Sequence, residues 1–155
     1  LALELGADVP SCLAEKAVQV SGVGEILTPA PKIPALPVVL VNPNKPVSTP
    51  AVFKTRKPVF SEPMPLTADC ADADAFVAEL KKRHNDLQDA ACALEPAVAE
   101  VLKSLERQPL CLFSAMSGSG GTCFGLFRTP KDAAQACADL TANHPNWWVK
   151  QTALA

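Results

Sequence analysis

The chain has 155 residues, of which 48% are apolar and 19% are charged, and its formal net charge is -2. This composition is typical of a globular protein with one ordinary core, or of one domain plus a remnant of another, and it excludes a disordered chain. The slight acidic balance argues against a nucleic-acid partner, which usually requires an excess of lysine and arginine. No apolar run approaches the ~20 residues of a membrane span, so we expect no membrane partner.

The first 28 residues predict the end of a helix, a loop and a pair of strands. The opening LALEL begins in the middle of a helical pattern, so we expect a segment upstream of it. A loop is predicted from Gly6 to Pro10. Strand-like segments at Lys16–Val20 and Glu25–Leu27 flank a turn that contains Gly22 and Gly24.

Prolines dominate the next part of the chain. Ten of the fifteen prolines fall between Pro29 and Pro65. Proline lacks a backbone donor and restricts the residue before it, which predicts mostly loop with one strand at about Leu36–Val41. A boundary near Pro29–Pro34 divides the chain into residues 1–28, the tail of one domain, and residues 29–155, a second domain.

Two amphipathic segments follow the prolines. Apolar residues recur at helical spacing across Asp72–Arg83 and again across Asp86–Glu106. Pro96 suits the first turn of a helix, so the second segment is predicted to be two helices or one kinked helix. Asn85 or Asp86 is the predicted N-cap of this segment.

The last third predicts a hairpin, a helix and a strand. Leu110–Met116 and Thr122–Arg128 are short β-type runs on either side of a glycine-rich loop. Thr129 is a good N-cap for a helix that runs to about Asn143, and Trp147–Ala153 is the predicted final strand. From Leu36 onward the order is βαββαβ, which predicts an α+β fold of the ferredoxin-like type. Many unrelated functions share this fold, so it does not decide the chemistry.

The cysteines and histidines do not predict a zinc site. There is no C-x-x-C pair, and the two histidines lie far apart in the sequence. We interpret the cysteines as reduced core residues of a cytoplasmic protein; a disulfide framework is the alternative. The six cysteines are Cys12, Cys70, Cys92, Cys111, Cys123 and Cys137.

Asp8 is the first candidate for chemistry. It lies between a predicted helix end and Pro10, where its carboxylate can face a cleft. In that position it can accept a proton from a substrate hydroxyl or orient that hydroxyl for attack on phosphorus. A solvated aspartate in a turn is the alternative.

The second candidate is the loop of Gly118, Ser119, Gly120 and Gly121. Glycine permits the positive φ angles with which successive backbone N–H groups can surround phosphate oxygens. The loop is not a Walker A motif, because no Gly-Lys-Ser/Thr follows and it joins two strands. A flexible hairpin turn is the alternative.

The third candidate is the segment Val47–Phe53. In a short turn, the Thr49 hydroxyl and the Phe53 ring could lie on one side, where the ring would stack on a nucleotide base. The alternative is that Phe53 simply fills the core.

Six segments, in this order, resemble the C-terminal half of the 4-diphosphocytidyl-2-C-methyl-D-erythritol kinase family, a branch of the GHMP superfamily. Their number and order make a chance likeness improbable, and together they cover almost the whole chain. They are LGADVP at Leu5–Pro10, GVGEILTP at Gly22–Pro29, VVLVNP at Val38–Pro43, VSTPAVF at Val47–Phe53, NDLQ at Asn85–Gln88 and MSGSGGTCFGLF at Met116–Phe127.

The resemblance implies transfer of the ATP γ-phosphate to the 2-hydroxyl of a cytidine-diphosphate-linked methylerythritol, in the non-mevalonate route to bacterial isoprenoids. It implies that Asp8 is the catalytic base or orienting group, acting with a lysine that lies upstream. That lysine and the ATP-binding loop are not in this sequence, so we expect the chain alone to be inactive and to need an N-terminal domain as partner. Mg²⁺ is expected with ATP, but no metal site can be placed on these residues.

The resemblance also assigns roles to the other candidates. Gly118, Ser119, Gly120 and Gly121 match a glycine loop near the substrate and phosphates. Thr49, Pro50 and Phe53 match the lining of the cytidine pocket, and Val23 is a neighbour of that pocket. Another GHMP kinase, or a ferredoxin-like binding module without catalysis, is the alternative function.

Overall fold

The computed structural model describes residues 6, 9–14 and 16–154. Within these residues the helices are α1 Val9–Leu13, α2 Thr49–Thr55, α3 Ala73–Leu80, α4 Gln88–Leu94, α5 Pro96–Glu106 and α6 Pro130–Asn143. The strands are β1 Val18–Ser21, β2 Ile26–Pro29, β3 Pro37–Asn42, β4 Cys111–Met116, β5 Cys123–Phe127 and β6 Trp148–Ala153.

The last four strands form one antiparallel sheet in the order β4-β5-β3-β6. β3 lies inside the sheet and is antiparallel to both neighbours, with Val39 paired to Gly125 of β5 and to Gln151 of β6. Four helices connect β3 to β4, and α6 connects β5 to β6. This order confirms the predicted α+β, ferredoxin-like fold.

Both faces of the sheet are covered. On one face, Val39 and Val41 pack with α4, α5 and α6 around Leu105 and Phe127. These four side chains are fully buried. On the other face, Val38 packs against Phe76 of α3. Successive side chains of a strand point to opposite faces, so a run of valines in β3 suits a strand buried on both sides.

Local signals set the helix boundaries. The Thr129 side chain accepts a hydrogen bond from the Asp132 amide at the start of α6, as predicted for its N-cap. Asp72 caps α3 in the same way, through the Ala75 amide. Glu95 separates α4 from α5 with an extended backbone, so the long amphipathic segment is two helices.

One prediction of a loop was wrong at its end, and one prediction of a turn was wrong. The segment predicted as a loop at Gly6–Pro10 overlaps α1, and the turn predicted at Val47–Phe53 contains most of α2. Both helices have a proline in the first turn, Pro10 and Pro50, where proline costs no hydrogen bond. Proline content therefore predicted the loops between Pro29 and Pro65 correctly, but it did not predict α2, which lies between them.

The cysteines are unpaired, and they differ in burial. Cys70 and Cys123 are buried, whereas Cys92, Cys111 and Cys137 are half-buried. Cys12 is exposed, so the prediction of a core position was wrong for this residue. No helix within the described ranges is long and apolar enough to cross a membrane.

Candidate functional site

The glycine loop connects β4 to β5 in a tight conformation. The Ser117 amide donates to the Thr122 carbonyl at 2.9 Å, and the Gly120 amide donates to the Ser117 carbonyl at 3.1 Å. The φ angles are 56° at Gly118, 114° at Gly120 and 82° at Gly121. Other residues rarely adopt these values, so this conformation requires glycine.

The loop packs closely against the elements behind it. A Cβ atom at Gly120 would lie 3.0 Å from Met116 Sδ and 3.2 Å from the Cβ of Ala91 in α4. Gly120 is therefore required both by its φ angle and by the space available. A Cβ atom at Gly118, in contrast, would meet no atom within 4 Å.

The N-terminus of α2 lies beside this loop. The Ser48 side chain caps the helix, and Thr49 Oγ1 lies 2.7 Å from Ser119 Oγ, which brings two of the predicted site segments together. Thr49 and Phe53 are four residues apart, so they lie on one face of α2. The hydroxyl and ring share a side as predicted, although on a helix.

Phe53 is not a core residue. Its relative exposure is 49%, whereas Val52 beside it is fully buried and belongs to the main core. The alternative in which Phe53 fills the core was therefore wrong. An apolar ring with half its surface exposed, on the helix that borders the glycine loop, is available to contact a ligand.

Asn85 and Asp86 do not cap α4. The N-cap position is occupied by Leu87, without a side-chain cap. Asn85 Nδ2 instead donates to the Gly118 carbonyl at 2.7 Å and to the Met116 carbonyl at 3.2 Å. The prediction of a helix cap was wrong, and the sequence contained no sign of this contact across 33 residues.

A cleft of about 440 Å³ lies next to the start of α4. Lys57, Phe60, Asp86 and Phe113 contribute to its walls, and Asn85 also lines it. The Ser61 amide and hydroxyl both donate to Asp86 Oδ2 at 2.9 Å. These two hydrogen bonds hold the pKa of Asp86 below its usual value, and the bond from the Ser61 amide has the larger effect. Of the predicted site residues that the structure describes, none lines this cleft.

Two predicted residues remain, Val23 and Asp8. Val23 is in the turn between β1 and β2, is 74% exposed, and donates its amide to Glu25 Oε2 at 2.6 Å. In the described part of the chain, no hydrogen bond joins Val23 to the glycine loop or to α2. Asp8 lies outside the described residues.

Metal-binding groups are not clustered in the described part of the chain. Among residues 6, 9–14 and 16–154, no group of three or more histidine, cysteine, aspartate or glutamate side chains could hold a metal ion.

Comparison with known proteins identifies the family. Residues 70–146 match the family model described as GHMP kinases C terminal. A curated 4-diphosphocytidyl-2-C-methyl-D-erythritol kinase of Rhodospirillum rubrum is 50% identical over 148 residues, which are 96% of this chain and 49% of that protein. The kinase of the same name from Roseobacter denitrificans is 46% identical over 153 residues, 98% of this chain and 51% of the relative. The chain spans about half the length of the curated relatives it matches.

Solved structures give the same result. A crystal structure of a 4-(cytidine 5'-diphospho)-2C-methyl-D-erythritol kinase superposes with a TM-score of 0.72 at 30% identity, over 96% of this chain and 54% of that chain. A homoserine kinase from Cytophaga hutchinsonii has a TM-score of 0.65 at 16% identity, over 95% of this chain and 50% of that one, which shows a shared fold alone. The chain belongs to the GHMP kinase family, and it aligns with about half the length of each 4-diphosphocytidyl-2-C-methyl-D-erythritol kinase compared above.

Proposed function

We propose that this chain forms the substrate-side half of a kinase that transfers the ATP γ-phosphate to the 2-hydroxyl of 4-diphosphocytidyl-2-C-methyl-D-erythritol. The names of the relatives support the reaction. The observation that carries the proposal is the contact between Thr49 and Ser119, because it joins the proposed cytidine helix to the proposed phosphate loop. In this proposal residues 1–28 are the tail of an N-terminal domain that supplies ATP binding, in a cytoplasmic bacterial enzyme.

The glycine loop is proposed to bind phosphate oxygens of the substrates. Among the described residues, the amides of Gly118, Ser119 and Gly121 have no hydrogen-bond acceptor. Backbone amides without an acceptor, in a loop with positive φ angles, suit an anion. Phosphoryl transfer depends mainly on positioning and on charge neutralisation, so a rigid set of donors is the contribution expected of this loop.

The α2 helix is proposed to hold the cytidine end of the substrate. The exposed Phe53 ring stacks on the base, and Pro50 and Thr49 complete the wall that faces the glycine loop. Val23 is proposed as a neighbour of this pocket. Its 74% exposure leaves the side chain free to contact a ligand or another domain.

Asp8 is proposed to accept the proton of the attacking hydroxyl or to orient that hydroxyl. Either role needs a carboxylate within hydrogen-bond reach of the substrate. ATP is the phosphate donor in this proposal. Mg²⁺ would accompany ATP and would be held mainly by phosphate oxygens and water.

The test is a fused polypeptide, in which this chain replaces the matching half of the Rhodospirillum rubrum relative. We expect ATP-dependent phosphorylation of the cytidine-bearing alcohol and little turnover of homoserine, mevalonate or galactose. The chain without the N-terminal half should be inactive. Preference for one of the other alcohols would overturn the proposed substrate, and activity of the chain alone would overturn the proposed division of labour.

A pair of phenylalanines tests the cytidine pocket. Phe53→Ala removes the proposed stack, which is worth about 1–3 kcal/mol, so KM for the cytidine-bearing substrate should rise about 5- to 150-fold. Phe60→Ala is the matched control, because Phe60 is 52% exposed, close to the 49% of Phe53, but lies in the cleft beside α4. Equal changes in KM for the two variants would contradict the assignment of Phe53.

A further inference from the structure

The side chain of Asn85 joins the start of α4 to the glycine loop. Its Nδ2 atom donates to the Gly118 carbonyl at 2.7 Å and to the Met116 carbonyl at 3.2 Å. Its Oδ1 atom accepts from the Leu87 amide at 3.0 Å. A primary amide has two N–H donors and one oxygen acceptor, so these three bonds use both donors and the acceptor.

The contact with Gly118 fixes the direction of the next amide. A trans peptide is planar, and its carbonyl and N–H point to opposite sides. Because the Gly118 carbonyl is directed at Asn85, the Ser119 N–H is directed away from Asn85. The same rule applies to the Met116 carbonyl and the Ser117 N–H, which donates to Thr122. Asn85 therefore fixes the direction of one unpaired amide of the loop, that of Ser119.

Few other side chains hold the backbone of the loop. Glycine loses more conformational freedom on ordering than any other residue, and three of the four residues from Gly118 to Gly121 are glycines. Among the described residues, Asn85 is the only one whose side chain hydrogen-bonds to a backbone atom of these four. The Thr49 contact reaches the Ser119 hydroxyl, so it does not bind the loop backbone directly.

We propose that Asn85 is a positioning residue, which holds the glycine loop in the orientation that directs the Ser119 amide at the substrate. Asn85 does not itself touch substrate in this proposal. Its effect on catalysis rests on the proposed function. Its effect on the loop does not, because it follows from the hydrogen bonds alone.

Three variants separate this role from that of the bond between Asn85 Oδ1 and the Leu87 amide, just before α4. Asn85→Asp keeps an oxygen that can accept from the Leu87 amide but loses both N–H donors, whereas Asn85→Ala loses all three bonds. Asp86→Ala is the matched control, because Asp86 is the next residue and binds Ser61 instead of the loop. If Asn85 served only the start of the helix, Asn85→Asp would behave as the unaltered chain.

The first readout is hydrogen exchange of the Gly120 amide, measured by NMR on this chain. That amide is bonded to the Ser117 carbonyl inside the loop, so it reports loop opening. Loss of the two bonds from Asn85 should speed its exchange about ten-fold in Asn85→Asp and Asn85→Ala, and leave it unchanged in Asp86→Ala. Unchanged exchange in Asn85→Asp, or equal acceleration in Asp86→Ala, would overturn the proposal.

The second readout is turnover by the fused polypeptide. A misplaced donor is felt mainly in the transition state, so Asn85→Asp should lower kcat about 100-fold while KM for the alcohol changes little. An unchanged kcat, or a loss confined to KM, would overturn the positioning role. If the unaltered fused polypeptide is inactive, the proposed function fails, and the exchange measurement still decides whether Asn85 holds the loop.

Discussion

Substitution of Gly120 by alanine tests the packing of the glycine loop. The new Cβ atom would lie 3.0 Å from Met116 Sδ and 3.2 Å from Ala91 Cβ, at a backbone φ of 114°. The methionine side chain can rotate, but Ala91 Cβ is attached directly to the backbone of α4. The clash with Ala91 is therefore relieved only if the loop or the helix moves.

Two effects should lower the free energy of unfolding of Gly120→Ala. A non-glycine residue at such a φ angle costs about 1–3 kcal/mol, and overpacking costs a further 1–3 kcal/mol or so, which sum to about 2–6 kcal/mol. Gly118→Ala is the matched control, with a φ of 56° and no atom within 4 Å of the new Cβ. It should cost only the left-handed penalty of about 1–2 kcal/mol. Replacement of glycine by alanine lowers the conformational entropy of the unfolded chain, and this stabilises both variants equally.

The assay is urea unfolding of the chain followed by circular dichroism. With a typical slope of about 1–3 kcal/mol per molar urea, the Gly120→Ala midpoint should lie about 1 M below that of Gly118→Ala. Similar midpoints for the two variants, or a lower midpoint for Gly118→Ala, would show that Gly120 is not packed against α4 as described.

Three further predictions concern the rest of the chain. Val52→Ala should lower the free energy of unfolding in urea by about 2 kcal/mol, because Val52 is fully buried. An unchanged free energy of unfolding would contradict the core position of Val52. The Arg128 guanidinium hydrogen-bonds to Asp74 and lowers the pKa of that carboxyl from 3.8, so destabilisation by Arg128→Ala should appear at neutral pH and vanish as the pH falls below 3.8; a loss independent of pH would contradict the pair. Burial raises the pKa of Cys123 to about 12, so iodoacetamide at pH 8 should label Cys12 and spare Cys123 until the chain unfolds, as mass spectrometry would show.

The strands and most helices could be predicted because their signals are local. The run of valines in β3 reflects burial of the strand on both faces, and the spacing of apolar residues in α5 reflects burial of one face of the helix. Thr129 and Pro130 mark the start of α6 through bonds made within one turn. Such patterns are complete within ten or fifteen residues of sequence.

The missed features depend on contacts between distant segments. α2 lies among prolines that favour loop, and it is stabilised by burial of Val52 in the core. Asparagine is a common helix-cap residue, yet the Asn85 side chain donates hydrogen bonds to carbonyls 31 and 33 residues away. Neither outcome can be read from a local pattern, because tertiary packing decides it.

The position of the phosphate in the product of the fused polypeptide decides whether the proposed reaction is correct. Incubation with ATP and 4-diphosphocytidyl-2-C-methyl-D-erythritol should give a new phosphomonoester on the 2-hydroxyl, visible by phosphorus NMR. The Asp8→Asn variant should give little or none, because the amide cannot accept the hydroxyl proton. Phosphorylation at another position, or undiminished turnover by Asp8→Asn, would contradict the proposed reaction and the role of Asp8.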